Sequence, residues 1–121
     1  MPFLFVALGG AVGALGRYAI SLIPLKPTFP LLTLFTNIGG AILIGFIVGL
    51  SDKHDVPDNL KVFIKVGVCG GFTTFSSFSL ETYNLLKDGD FDIAILYSAI
   101  SVVSCLVGVW IGRRLSLLVG K

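Results

Sequence analysis

Four long apolar stretches run along the chain, Phe3 to Ile23, Leu31 to Leu50, Leu60 to Leu80 and Phe91 to Leu118, separated by short polar or proline-rich intervals. A bilayer core takes about 20 predominantly apolar residues per helix, so each stretch is long enough to cross. The pattern predicts an all-α integral membrane protein with four transmembrane helices, forming one unit over residues 1–121. Pro24, Pro27 and Pro30 divide the first two helices, and Pro30 suits the opening turn of the second, where no amide donor is needed. The polar linker Ser51 to Asn59 offers Asp58 or Asn59 as the cap of helix three. Lys87, Asp88, Gly89 and Asp90 are expected to form a tight turn before helix four.

The third stretch departs from this pattern. Gly70 to Ser79 reads GGFTTFSSFS, so glycines and hydroxyls occupy the middle of a span. In hydrocarbon every backbone amide and carbonyl must be satisfied, and unwound backbone survives only against protein or a water-filled cavity. Helix three is therefore expected to break at its centre. Gly70 and Gly71 would relax the backbone and free carbonyls for a hard cation, while Thr73, Thr74, Ser76, Ser77 and Ser79 offer hydroxyls to an anion or to the broken ladder. Phe75 and Phe78 share a face if helix resumes. Such pairs are ordinarily core, but their electropositive ring edges also suit an anion.

Composition strengthens the membrane assignment: hydrophobic residues make up 55% of the 121 and charged residues only 13%, with a mean hydropathy of +0.94. The net charge of +2 is scattered between the apolar blocks, which leaves no basic stripe for nucleic acid. Lys53, Lys61, Lys65, Arg113, Arg114 and Lys121 fall on one side of a four-span protein and Arg17, Lys26 and Lys87 on the other, which favours termini inside. Cys69 and Cys105 read as small packing residues, and His54 as a solvated linker residue. No nucleophile, base and orienter constellation is present, so an enzyme is not expected.

Several polar residues interrupt the other helices. Arg17 shares the small-residue face of Gly9 and Gly13; it either snorkels to the headgroups or faces a vestibule where it attracts anions. Thr33, Asn37 and Ala41 form a stripe on helix two. The Asn37 amide either glues helices together or offers two N–H donors to a dehydrated anion. On helix four Tyr97, Ser101 and Cys105 follow at one-turn spacing, a pattern of interhelical hydrogen bonding or of a polar path. Helices one and two carry no carboxylate, and Glu81 is expected at the outer end of helix three, which disfavours a proton-coupled exporter of organic cations. A non-transporting membrane subunit using its glycine faces for assembly is the third possibility.

Taken together, helix one ending in Arg17 and Tyr18, Thr33, Leu34 and Asn37 on helix two, and Gly70 to Ser79 followed by Glu81 and Thr82 resemble the CrcB/Fluc family of bacterial fluoride channels. The resemblance runs nearly end to end. It implies an antiparallel, dual-topology homodimer in the bacterial inner membrane, with two narrow fluoride pathways along its interface and passive fluoride export relieving toxicity. By the family pattern Asn37 donates to fluoride, Phe75 and Phe78 present ring edges, and Thr33, Thr74, Ser76, Ser77, Tyr97 and Ser101 form a polar track. Arg17 is assigned to anion attraction or vestibule structure, and Gly70 and Thr73 to a structural sodium ion held by backbone carbonyls of both subunits. Ser77 and Cys105 depart from the expected threonine and serine. The basic bias, six residues against three, leaves open a hetero-dimer with a related, oppositely oriented subunit.

Overall fold

The computed structural model describes residues 2–24 and 29–119. Lys26, Pro27 and Lys121, named above, lie outside the described residues. The chain forms α1 (Pro2–Ser21), α2 (Leu31–Lys53), α3 (Asp58–Lys61), a π-helical segment (Val62–Val68), α4 (Cys69–Phe72), α5 (Phe75–Lys87) and α6 (Phe91–Ser116). The elements from Asp58 to Lys87 follow one another as a third long rod, and this rod, α1, α2 and α6 are each long and apolar enough to cross a membrane. Their outward faces carry Leu8, Leu15, Ile95, Leu106 and Trp110, all exposed, as a lipid-facing surface requires.

Several boundaries differ from the pattern-based expectation, each for a visible reason. The second helix continues through the polar residues Ser51 to Lys53, because Ser51 Oγ donates to Ile47 O at 2.8 Å and Asp52 accepts from Arg113 at 2.8 Å, anchoring the last turn to α6. Helix three begins at Asp58, with Pro57 in the cap position, so neither Asp58 nor Asn59 caps it; Asp58 instead pairs with Lys61 at 3.6 Å within the first turn. At its other end the rod runs on to Lys87. Leu85 is buried there with Ala94, Tyr97 and Leu34, which holds the extra turns in place. Gly89, at φ +86°, makes the turn into α6, a backbone conformation open to glycine at no steric cost.

Helix three does break at its centre, but not at its glycines. Gly70 and Gly71 are helical residues of α4, and the extended backbone falls on Thr73 (φ −83°, ψ 156°) and Thr74 (φ −150°, ψ 112°). Both are β-branched and favour extended backbone, and both can satisfy local backbone groups with a hydroxyl. Thr73 Oγ1 donates to Cys69 O at 2.7 Å, closing α4. Thr74 Oγ1 accepts from Ser77 N at 3.0 Å and caps α5.

The glycines serve packing instead. A Cβ on Gly9 would overlap Phe63 O, one on Gly13 would overlap Val68 O, and one on Gly71 would overlap Gly10 O, so α1 lies backbone to backbone on the π segment and α4. The same device joins α2 and α6, where a Cβ on Gly45 would strike Val109 O and one on Gly112 would strike Ile42 O. Without a hydrophobic force between helices in lipid, close backbone contact is the main source of association. The two helix pairs meet at the Phe72 ring, which lies between Gly16 of α1 and Gly39 of α2.

Such contacts cannot accept a methyl group. Gly67→Ala, whose Cβ would meet Gly9 Cα and Val6 O, is expected to lower unfolding stability in detergent by about 1–3 kcal/mol. Gly10→Ala, which would meet nothing within 4 Å, is expected to be neutral or stabilising by up to about 1 kcal/mol. Denaturant titration of the two purified variants checks the difference.

Candidate ion-conducting site

The break is held open by one side chain. Asn37 Oδ1 accepts from Thr74 N at 2.7 Å, replacing the helical bond that this amide loses at the break, and Asn37 Nδ2 donates to Thr74 O at 3.3 Å, adding a donor to the carbonyl that heads α5. Asn37 therefore does join helices, and it does so with its oxygen and one of its two N–H donors. The second N–H is left for another acceptor. Carbonyls before the break also lose their usual donors, those of Gly70 and Thr73 among them. Thr74 N, which a continuous helix would send to Gly70 O, goes to Asn37, and Ser77 N, which would go to Thr73 O, goes to Thr74 Oγ1.

A groove of about 510 Å³ opens along this break, lined by Asn37, Gly70, Thr73, Thr74, Phe75, Phe78, Ser101 and Cys105 among others. Phe75 is 79% exposed, and its ring centre lies 5.5 Å from that of Phe78. Ser101 is buried at the groove wall, and among the described residues its hydroxyl has no hydrogen-bond partner. Buried hydroxyls ordinarily have a partner, so the Ser101 hydroxyl is open to a group entering the groove. Gly70 is exposed here, and a Cβ on it would meet nothing within 4 Å. Packing within the chain thus gives no reason for glycine at that position.

A smaller cavity of about 170 Å³ lies across the break, lined by Arg17, Thr33, Thr36, Thr74, Ser77 and Glu81 among others. Arg17 does not reach away toward the headgroups: its Nε donates to Gly71 O at 3.1 Å, using a carbonyl beside the break. Glu81 is not at an outer end either, because α5 continues six residues beyond it. Its carboxylate accepts from Thr33 Oγ1 at 2.7 Å and from Tyr97 OH at 2.8 Å. Thr74, Ser77 and Glu81 are spaced three and four apart, and that helical stripe was the sequence signal for Glu81 as a lining residue.

The structure thus divides the sequence-predicted residues. Asn37, Phe75, Phe78 and Ser101 lie on the groove with Gly70 and Thr73; Arg17, Thr33 and Ser77 lie on the smaller cavity; Thr74 lines both. Ser76 is exposed, with its hydroxyl 3.2 Å from Thr74 Oγ1. Tyr97 lines neither space. It is fully buried, packed against Phe78 at 5.0 Å and edge-on to Phe29 at 5.4 Å, and it reaches the polar residues only through Glu81. Cys69 and Cys105 are both free thiols on the groove.

Comparison with known proteins places the chain in a family. Residues 4–113 match the family described as CrcB-like protein, Camphor Resistance (CrcB). A protein of Opitutus terrae named fluoride-specific ion channel FluC is 45% identical, over 92% of this chain and 89% of its own length. Proteins of the same name from Rhodospirillum rubrum and Methanocaldococcus jannaschii are each 42% identical, over 100% and 94% of this chain and 98% and 93% of their own lengths. The relatives carry the name of a channel, not of an enzyme. With a family match over most of its length and these relatives covering nearly all of it, the chain belongs to the CrcB family and is a multi-pass membrane protein.

Proposed function

We propose that this chain is a subunit of a fluoride-selective channel that lets fluoride leave the cytoplasm passively, down its electrochemical gradient, across the inner membrane of a bacterial cell. Fluoride that crosses as the neutral weak acid dissociates inside, and a passive path relieves the resulting toxicity. The relatives named for fluoride support the choice of ion. The observation that carries the reading is the Asn37 clamp on Thr74, which sets an amide donor, threonine and serine hydroxyls and the Phe75 and Phe78 rings around one groove at the centre of a membrane span.

Fluoride is small and tightly hydrated, so a path for it needs donors that replace water in stages, each weak enough to release the ion. In the groove the free Asn37 N–H, the unpartnered Ser101 hydroxyl and the ring edges of Phe75 and Phe78 are the groups that could do this. Arg17 in the neighbouring cavity would offset the carboxylate of Glu81 and keep the region open to an anion.

A single chain leaves the groove open on one side, with Phe75 and Gly70 on its open face. An antiparallel homodimer would close it, two copies meeting at their breaks and enclosing two paths. A hetero-dimer with an oppositely inserted relative would do the same. The open space at Gly70 suits the close approach of a second backbone, and Gly70 O and Thr73 O, both deprived of their helical donors, suit a hard cation. Two carbonyls are too few for such an ion, so a second copy would supply the rest. A sodium ion held there would provide the charge that fastens the two breaks together.

Liposomes loaded with fluoride or chloride test the channel: purified protein is expected to release fluoride and retain chloride, and absent fluoride release or equal chloride release overturns the proposal. Phe75→Ile and Phe78→Ile keep apolar bulk but remove the ring edge. Each is expected to reduce fluoride flux at least tenfold, the equivalent of about 1.4 kcal/mol of lost transition-state contact, while the dimer persists on size-exclusion chromatography. Unchanged flux assigns the rings to packing. Exchange of sodium for a large organic cation is expected to lower the thermal stability of the dimer, read by size exclusion after heating. A dimer indifferent to the exchange refutes the carbonyl site.

A further inference from the structure

We propose that Lys65 is an anion-attracting residue at one mouth of the conducting groove, a role that rests on the channel reading above and adds a specific charge to it. Lys65 stands in the π segment, eight residues before the Thr73–Thr74 break, within a rod that crosses the membrane. Its neighbours in the span are Phe63, Ile64, Val66 and Val68, so a cation here has to be explained.

Position along the groove is fixed by its walls. From the break outward, the rod contributes Thr74, Gly70 and then Lys65, α2 contributes Asn37, Ala41 and Ile44, and α6 contributes Ser101, Cys105 and Val109. The Asp52–Arg113 pair joins the last turn of α2 to the last turn of α6, so these three series run toward the same end. Lys65 is therefore on the groove wall at the level of Ile44 and Val109, between the break and that end. Side chains on a helix lean toward its N-terminus, which directs the Lys65 stem outward along the groove.

Two observations set Lys65 apart from an ordinary snorkelling lysine. Among the described residues, the ion pairs at this end join Lys61 to Asp58 and Arg113 to Asp52, and neither neutralises Lys65. It also shares its groove with the Ser101 hydroxyl, which is buried and has no partner among the described residues. An unneutralised ammonium at one end and an unsatisfied donor further in describe a space arranged for a small anion. A compact point charge is suited to raising the local concentration of such an ion without binding it in a fixed geometry.

The test is fluoride efflux from liposomes with the wild type, Lys65→Gln and Lys65→Arg, each at sub-saturating and saturating fluoride. Lys65→Gln is expected to lower flux roughly threefold to tenfold at sub-saturating fluoride and to converge with the wild type at saturation, whereas Lys65→Arg retains wild-type flux at both. Equal flux of Lys65→Gln and wild type at sub-saturating fluoride overturns the proposal and leaves Lys65 a snorkelling residue. Equal loss in both variants at saturation overturns it in favour of a structural role. A wild type that releases no fluoride sinks the channel reading, and this inference with it.

Discussion

The pairing of Asn37 with both backbone groups of Thr74 is the contact on which the rest of this structure depends. A helix interrupted in hydrocarbon exposes an amide and a carbonyl that neither lipid nor water can satisfy, at a cost of roughly 1–3 kcal/mol for each group left unpaired. The Asn37 amide satisfies the stranded Thr74 N–H with its oxygen and holds the same residue's carbonyl with an N–H, because it carries an acceptor and a donor at the spacing of a peptide group. With that cost removed, Thr73 and Thr74 can remain extended and α5 can restart with its own cap. The carbonyls of Gly70 and Thr73 are then left without their helical donors, as a consequence of the repair and not of glycine flexibility.

Close packing makes the repair geometrically possible. Asn37 reaches Thr74 because α2 and the rod carrying the break are held together around Phe72, and Phe72 fits because Gly16 and Gly39 leave room for its ring. The glycine contacts between α1 and the π segment, and between α2 and α6, fix the two helix pairs firmly. The face between α5, α6 and the break stays open as a groove. Rigid pairs around an open groove are what a second copy could dock against without rearranging either helix pair.

Much of this was legible in the sequence, since hydrophobic run length alone marks four helices and the polar run marks the interruption. What the run could not show was which residues unwind. Glycine is permissive but does not compel a break, and Gly70 and Gly71 stay helical because α1 packs against Gly71 and local hydrogen bonds close the turn. Glu81 was hidden for a related reason. Hydropathy ended the third span near Leu80, whereas α5 is carried on to Lys87 by the burial of Leu85, an amphipathic contact that an averaged apolar signal does not detect. Tyr97 followed the hydroxyl stripe of helix four in sequence, yet its ring is sealed between Phe29 and Phe78, because stripe spacing gives the face but not the depth of packing.

The accounting of donors bears on how an ion could move here. Most polar groups around the break are already committed: Thr33 and Tyr97 donate to Glu81, Arg17 Nε donates to Gly71 O, and Asn37 spends one N–H on Thr74. On the groove itself an anion meets one Asn37 amide hydrogen, the Ser101 hydroxyl and aromatic edges, weak donors spread along its length. A dense cage of strong donors would hold fluoride and stop it. Sparse donors fed by a charge at the mouth instead favour arrival without retention, which is the condition for conduction. The internal hydrogen bonds that stabilise the break thus also limit how tightly the groove could grip an ion passing it.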